Sequence, residues 1–285
     1  LFQLDGKRLQ EQYAAHLSGY TTWVQREHAQ QWILFPENIG EYLSLDETCL
    51  SNGDLYTILT NKAAKGKKGA LIAMVKGTVS DTVIEVLYKI PESKRKKVKE
   101  VTLDLAPTME RIAKRSFPKA KLVSDRFHIQ KLANDAVQEI RIKHRWAAIE
   151  QENKEIEYAK ELKKRYVPDV LENGDTLKQL LIRSRFLLHQ RENKWSASQV
   201  HRSEVLFRLY PDLKQAYDLS IELSNIFHQS KNRLIAFKKL ALWYNSVEKF
   251  EEKTFNTIAR TIQNNYEYIL NYFDNRSTNA SAESF

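Results

Sequence analysis

A single cysteine, Cys49, is all the thiol chemistry that 285 residues contain. No internal disulfide can form and no cysteine-rich zinc module can be built, so a reducing cytoplasm is the expected setting. Glycine (8) and proline (6) are also scarce, which argues against a loop-rich all-β fold and for long helices. No run of ~18 apolar residues occurs, so no membrane span is expected. The opening LFQLDGKRLQEQ turns charged at once, unlike a signal peptide.

What is present fits a soluble protein with a substantial core. Hydrophobic residues make up 42% and charged residues 28%, and the 13 Tyr, 12 Phe and 5 Trp supply large apolar surfaces. The length suits two modest domains, or one core with a large insertion. A net charge of +9 suggests a polyanionic partner, nucleic acid ahead of a membrane surface. The plainer alternative is a basic soluble protein with no such partner.

Residues 5–33 read as helical from the spacing of Leu9, Tyr13, Leu17 and Tyr20, with FPENIGE as punctuation after them. The period then becomes two. EYLSLDET, DLYTILTN and GALIAMVKG follow one another across short connections, as in an antiparallel meander. A helix over SDTVIEVLYKI, a strand over VKEVTLDLA, a helix opened by Pro107 and a strand over AKLVSD complete the order βββ-α-β-α-β. Beyond Asp125 the β texture disappears, and residues 126 to about 272 read as all-helical. The expected organisation is an N-terminal helical segment (1–40), an α/β core (41–130), a helical insertion (131–274) and a return to the core (275–285).

Strand alternation places Ser44 and Asp46 on one face and Leu43 and Leu45 on the other; Glu47 then points away from Asp46. The same grammar recurs in EVTLDLA, where Thr102 and Asp104 share a face opposite Val101, Leu103 and Leu105. Two otherwise apolar strands thus each carry a hydroxyl residue and then an aspartate. A buried carboxylate must be capped, paired or bound to a cation. One reading is that each Asp caps the next turn. The other is that neighbouring strands bring both to one sheet edge, where a hard cation such as Mg²⁺ is held by two or three carboxylates and water. Asp125 and His128 in KAKLVSDRFHIQKL pose the same choice between helix cap and site residue, and two ligands do not make a zinc site.

LSLDET around Asp46, FPKAKLVSDRFHIQKL (117–132) and ILNYFDNRSTNASAESF (269–285) resemble the ISL3-like group of bacterial insertion-sequence transposases. That resemblance implies a DDE-type enzyme with a ribonuclease-H-like core: a mixed five-stranded sheet with flanking helices, interrupted by a large all-α insertion. It implies the catalytic and metal-binding trio Asp46, Asp104 and Glu283, with Asp125 and His128 as an accessory pair. Asp125 stays open as an alternative to Asp104 for the second acid. Two Mg²⁺ or Mn²⁺ ions would serve DNA strand cleavage and strand transfer, without a covalent enzyme intermediate. Cys49, with no His partner, reads as structural.

The implied partner is double-stranded DNA, as transposon end and as target, bound by a homo-oligomer. Its candidate contacts are Lys65, Lys67 and Lys68 around a glycine loop, with Lys62 beside them, and Arg95, Lys96 and Lys97 in KRKKVK. In SKNRLIAFKKLALWYN they are Lys231, Arg233, Lys238 and Lys239, with Trp243 able to stack on a base if its ring is exposed. The chain departs from the family pattern in two places. It has no Cys/His cluster for a recognition module, so a separate N-terminal DNA-recognition polypeptide is expected. Glu283 stands two residues before the last, where relatives continue into a basic helix, so the expected alternative to an enzyme is an inactive DNA-binding derivative or fragment.

Overall fold

The period-two stretches between positions 42 and 76 form three antiparallel strands in the computed structural model, which describes residues 5–50 and 53–279. The chain divides into two units, Leu1–Asp125 with Ser277–Phe285, and Arg126–Arg276.

In the first unit, α1 (Gly6–Gln12) is capped by Asp5, whose carboxylate accepts the Lys7 N–H at 3.0 Å. The helix expected over 5–33 ends far earlier, followed by one turn of π-helix at Tyr13–Leu17 and a 3₁₀ turn at Gly19–Thr22. Leu9, Tyr13 and Leu17 are exposed, so the amphipathic stripe has no apolar partner in this unit to prolong the helix. The end of the same segment becomes a strand, β1 (Trp32–Leu34). Gln25 explains part of this: its side chain donates to the Leu34 carbonyl at 2.8 Å and accepts the Leu34 N–H at 2.7 Å.

Five further strands follow: β2 (Tyr42–Cys49), β3 (Leu55–Asn61), β4 (Leu71–Lys76), β5 (Glu100–Leu103) and β6 (Lys121–Ser124). The sheet has six strands in the order β1-β4-β3-β2-β5-β6, one more than the five expected, because β1 adds to the edge of β4. The meander pairs antiparallel, while β2-β5 and β5-β6 are parallel. The helices α2 (Ser80–Tyr88), α3 (Glu92–Arg95) and α4 (Pro107–Ser116) occupy the two crossovers. Both crossovers step across the sheet in the same direction, so right-handed connections put α2 and α4 on one face, where they touch each other. Val83 and Leu87 from α2 and Met109 and Ile112 from α4 are buried, as are Leu43, Leu45, Val101 and Leu103 from the sheet. Pro107 is the first residue of α4, as its fixed φ favours.

The second unit is helical: α5 (Arg126–Glu161), α6 (Leu177–Arg183), α7 (Ala197–Leu209), α8 (Pro211–Gln229), α9 (Arg233–Phe250), α10 (Lys253–Asn264) and α11 (Tyr266–Asn275). Capping boxes at Thr176 with Gln179 and at Ser196 with Gln199 start α6 and α7. The buried Asp175 ties those two helices together: it accepts from Arg202 Nε at 2.8 Å and from Arg183. Burial alone would raise its carboxyl pKa, but the two guanidinium hydrogen bonds outweigh that and hold it below its ordinary 3.8. The stabilisation is therefore complete above that value and lost as pH falls beneath it. Asp175→Ala should cost the helical unit about 3 kcal/mol at neutral pH, the low end for a broken buried pair, since Arg183 is half exposed. Urea unfolding followed by helix circular dichroism measures this; a loss under ~1 kcal/mol would show the pair to be ornamental.

Candidate metal and nucleic-acid site

Register brings the acids together. Ser44 pairs with Thr102 in the parallel β2-β5 ladder, and Leu103 with Ser124 in β5-β6. Two residues further along β2 and β5 stand Asp46 and Asp104, and one residue further along β6 stands Asp125. The Asp125 N–H still donates to the Leu103 carbonyl at 2.8 Å, so the ladder reaches that level. Neighbouring strands lie about 4.8 Å apart, and parallel partners share a face. Asp46 thus lies on the side of β2 opposite Leu43 and Leu45, Asp125 directly follows β6, and Asp104 comes one residue after β5 ends, beyond the paired register.

Each carboxylate already has some support. Asp46, 9% exposed, accepts the Glu47 N–H at 2.8 Å. Asp104 accepts the Ala106 N–H at 2.9 Å, the turn-capping bond anticipated for it. Asp125 is 1% exposed, and its Oδ2 accepts the backbone N–H of Asn279 at 3.1 Å. The Asn279 side chain, wholly buried, donates to the Leu45 carbonyl at 3.3 Å, beside Asp46. Its Oδ1 has no hydrogen-bond partner. His128 begins the second unit's long helix with its ring against Phe127, 5.6 Å between centroids, and its buried Nε2 unpartnered.

Glu47 differs from the alternation argument. Its carboxyl pKa is raised, first by burial and then by the charge of Asp104. Two acids expected to be apart therefore sense one another, because β5 ends at Leu103 and Asp104 is no longer bound by strand alternation.

The same face carries a buried cation. Lys62 Nζ is 3.5 Å from Glu100 Oε1 and donates to the Thr102 hydroxyl. Burial lowers its pKa, opposed by Glu100 and then by Asp125. Lys62 is thus turned inward and is not a phosphate contact. Sequence reasoning set Lys62 among the phosphate contacts and missed Glu100 and Asn279, because nothing in the local spacing reports the distant partners that hold them.

The exposed lysines expected to contact DNA in this unit lie at the other end of the sheet. β3 runs antiparallel to β2 and ends with Asn61 opposite Leu43, so Lys65, Lys67 and Lys68 project beyond the start of β2. Lys96 and Lys97 precede β5 at that same end, and the four residues of β5 separate Lys99 from Asp104, five steps of ~3.3 Å or about 17 Å. Lys96 pairs with Glu92 at 2.6 Å. Arg95 is committed: it donates to the Ile90 and Ser116 carbonyls at 3.0 and 2.8 Å and lies 4.6 Å from the Tyr88 ring centroid.

In the helical unit Lys231 and Lys238 are exposed and Lys239 is half-buried. Arg233 donates to Asn271 Oδ1 at 3.0 Å. Trp243 is 0% exposed and donates its indole N–H to the Leu219 carbonyl at 2.9 Å, which corrects the stacking role expected of it. A ring with no accessible face cannot meet a base.

A family model described as Transposase, the ISL3 group of DDE transposases, matches residues 43–285, from the strand bearing Asp46 to the last residue. The chain belongs to the ISL3-like DDE transposase family. No curated protein and no solved structure matches it. The match spans β2 to β6, the helical unit and all three transposase motifs read from the sequence, and leaves out β1. Glu283, the residue expected as the third acid of this transposase, lies outside the described residues, four positions after Asn279. Among the described residues no three His, Cys, Asp or Glu side chains converge as a metal set, and no helix is long and apolar enough to cross a membrane.

Proposed function

We propose that this transposase uses a ribonuclease-H-like core to cleave and join DNA strands with divalent metal ions held by Asp46, Asp104 and Glu283. The observation that carries this reading is the parallel pairing of β2 with β5, which makes neighbours of the strand that bears Asp46 and the strand that ends just before Asp104. The strand order supports it too, since β2 to β6 repeat the βββ-α-β-α-β sequence with acids on the first and fourth of these five strands.

The residues present fit a hard cation. The candidate donors are carboxylate oxygens, which suit Mg²⁺ or Mn²⁺. A carboxylate that accepts one backbone N–H keeps capacity for a metal bond, having about four lone-pair sites. Partial burial first and the charge of Asp104 second raise the pKa of Glu47, and a nearby dication would oppose the second of these causes. When bound, a pair of such ions activates the attacking oxygen and neutralises the leaving one.

The protein's own part is positional. The β2-β5 ladder holds the strands leading to Asp46 and Asp104 side by side, and each carboxylate accepts a nearby backbone N–H that restrains its rotamer. Lys65, Lys67, Lys68, Lys96 and Lys97 contact DNA phosphates away from the acids, while Lys231, Lys238 and Lys239 do so from the helical unit. Arg95 and Arg233 serve mainly as structural ties. DNA engages a homo-oligomer in this reading.

A second reading, a DNA-binding derivative without catalysis, draws on the bonds by which Asp46 and Asp104 cap their own backbone. Anomalous density after a Mn²⁺ soak separates the two. Density bridging Asp46 and Asp104 is the expected result. Density on Asp125 in place of Asp104 would reassign the second acid, and carboxylates that stay apart and empty would favour the derivative.

A further inference from the structure

The Asp125 carboxylate has a task that neither strand pairing nor metal binding requires. Its Oδ2 takes the N–H of a residue 154 positions away, Asn279, and both residues are almost wholly removed from solvent. Asn279 in turn reaches the Leu45 carbonyl through its side-chain amide. A bond to that carbonyl requires the amide nitrogen there, which fixes the amide's orientation. The segment returning from the helical unit is therefore fastened twice: to the end of β6 by its backbone, and to β2, one residue before Asp46, by its side chain.

A neutral side chain could accept that N–H, so a buried charge needs a reason. Burying an ionised carboxylate is costly unless it is paired and hydrogen-bonded. On the same face Lys62 is held by Glu100 and Thr102 and interacts with Asp125 only through its charge. Hydrogen bonds link Asp125 to Asn279 and Asn279 to β2. Buried polar networks of this kind give a segment one defined position.

Glu283 follows four residues later, and four residues of chain span at most about 14 Å. We infer that Asp125 is a positioning residue, whose carboxylate docks Asn279, and with it the chain that leads on to Glu283, onto the sheet. This rests on the reading of Asp46 and Glu283 as metal-binding acids. It assigns Asp125 a role distinct from metal ligation and gives Asn279 its first function.

The test uses the whole chain and two readouts: Mn²⁺ affinity by electron paramagnetic resonance titration, and hydrogen exchange of the Asn279 amide. Asp125→Ala removes the acceptor. It should speed Asn279 exchange at least tenfold and weaken Mn²⁺ binding ~10–100-fold, the range for residues that orient metal ligands. Amides of β2 and β5 should stay protected. Asp125→Asn keeps an oxygen acceptor and should restore most of the protection, with Mn²⁺ affinity within about threefold of the original.

If Asp125 were itself a ligand, Asp125→Asn would lose Mn²⁺ as completely as Asp46→Asn with Asn279 exchange unchanged, and the positioning role would fall. If exchange rises throughout the sheet in Asp125→Ala, the companion variant Asn279→Ala decides. Faster exchange at 277–279 alone supports docking, and none overturns it. Absence of any Mn²⁺ binding in the original chain would sink the metal reading instead, while the exchange readout still tests the docking.

Discussion

Asp46→Asn should lower metal-dependent nicking of transposon-end DNA by ~10³-fold or more, with the folded state intact. The loss follows from the charge. A carboxylate that holds a dication contributes several kcal/mol of transition-state stabilisation, and each 1.36 kcal/mol is worth about tenfold in rate. An amide oxygen at the same place still accepts the Glu47 N–H, now 2.8 Å from the carboxylate, so the strand keeps its local support. Asp104→Asn should behave alike, because its bond to the Ala106 N–H is equally within an amide's capacity. The measurement is a gel assay of supercoiled plasmid carrying the element's ends, in Mg²⁺ and in Mn²⁺, beside a thermal melt of each variant. Nicking that persists in Asp46→Asn within tenfold of the original would remove Asp46 from the site.

The second large effect concerns stability. Trp243→Ala should destabilise the helical unit by about 3–5 kcal/mol, the usual range for deleting a fully buried aromatic side chain. Trp243 lies inside α9 with no exposed surface, its ring 5.7 Å from that of Tyr244 and its N–H bonded to a carbonyl of α8. Trp243→Phe keeps much of the volume and loses chiefly the hydrogen bond, so its cost should be smaller, on the order of 1–2 kcal/mol. Urea denaturation measures both. A loss below ~1 kcal/mol for Trp243→Ala, joined to a tenfold fall in DNA affinity, would return the residue to the nucleic-acid interface.

The basic residues illustrate how a shared charge hides different work. Lys62 and Lys65 are three positions apart in one loop, yet Lys62 is a buried partner of Glu100 while Lys65 is exposed. Arg95 and Lys97 are two apart, and the guanidinium is spent on two carbonyls while the ammonium faces solvent. Lysine and arginine runs report a local charge density. Which members face water depends on what lies across from each of them.

What the sequence determined by itself is what repeats locally. The period-two alternation fixed β2 to β6, and with them the facing of Asp46 with Ser44, because side-chain direction in a strand depends only on position along it. Pro107 and the capping boxes set helix starts in the same way, through backbone groups within a few residues. The motifs around Asp46, Asp125 and Glu283 gave the family, and the match over residues 43–285 agrees. Tertiary structure decided everything that needed a distant partner. Trp32–Leu34 carries a helix-compatible pattern but pairs with β4, since an open sheet edge offers hydrogen bonds that an unburied helix stripe cannot match. The aromatic at 243 became core, the lysine at 62 turned inward, and Asn279 found Asp125 across 154 residues. None of those outcomes is encoded at a spacing of two, three or four residues, and only the packed chain brings their partners within bonding distance.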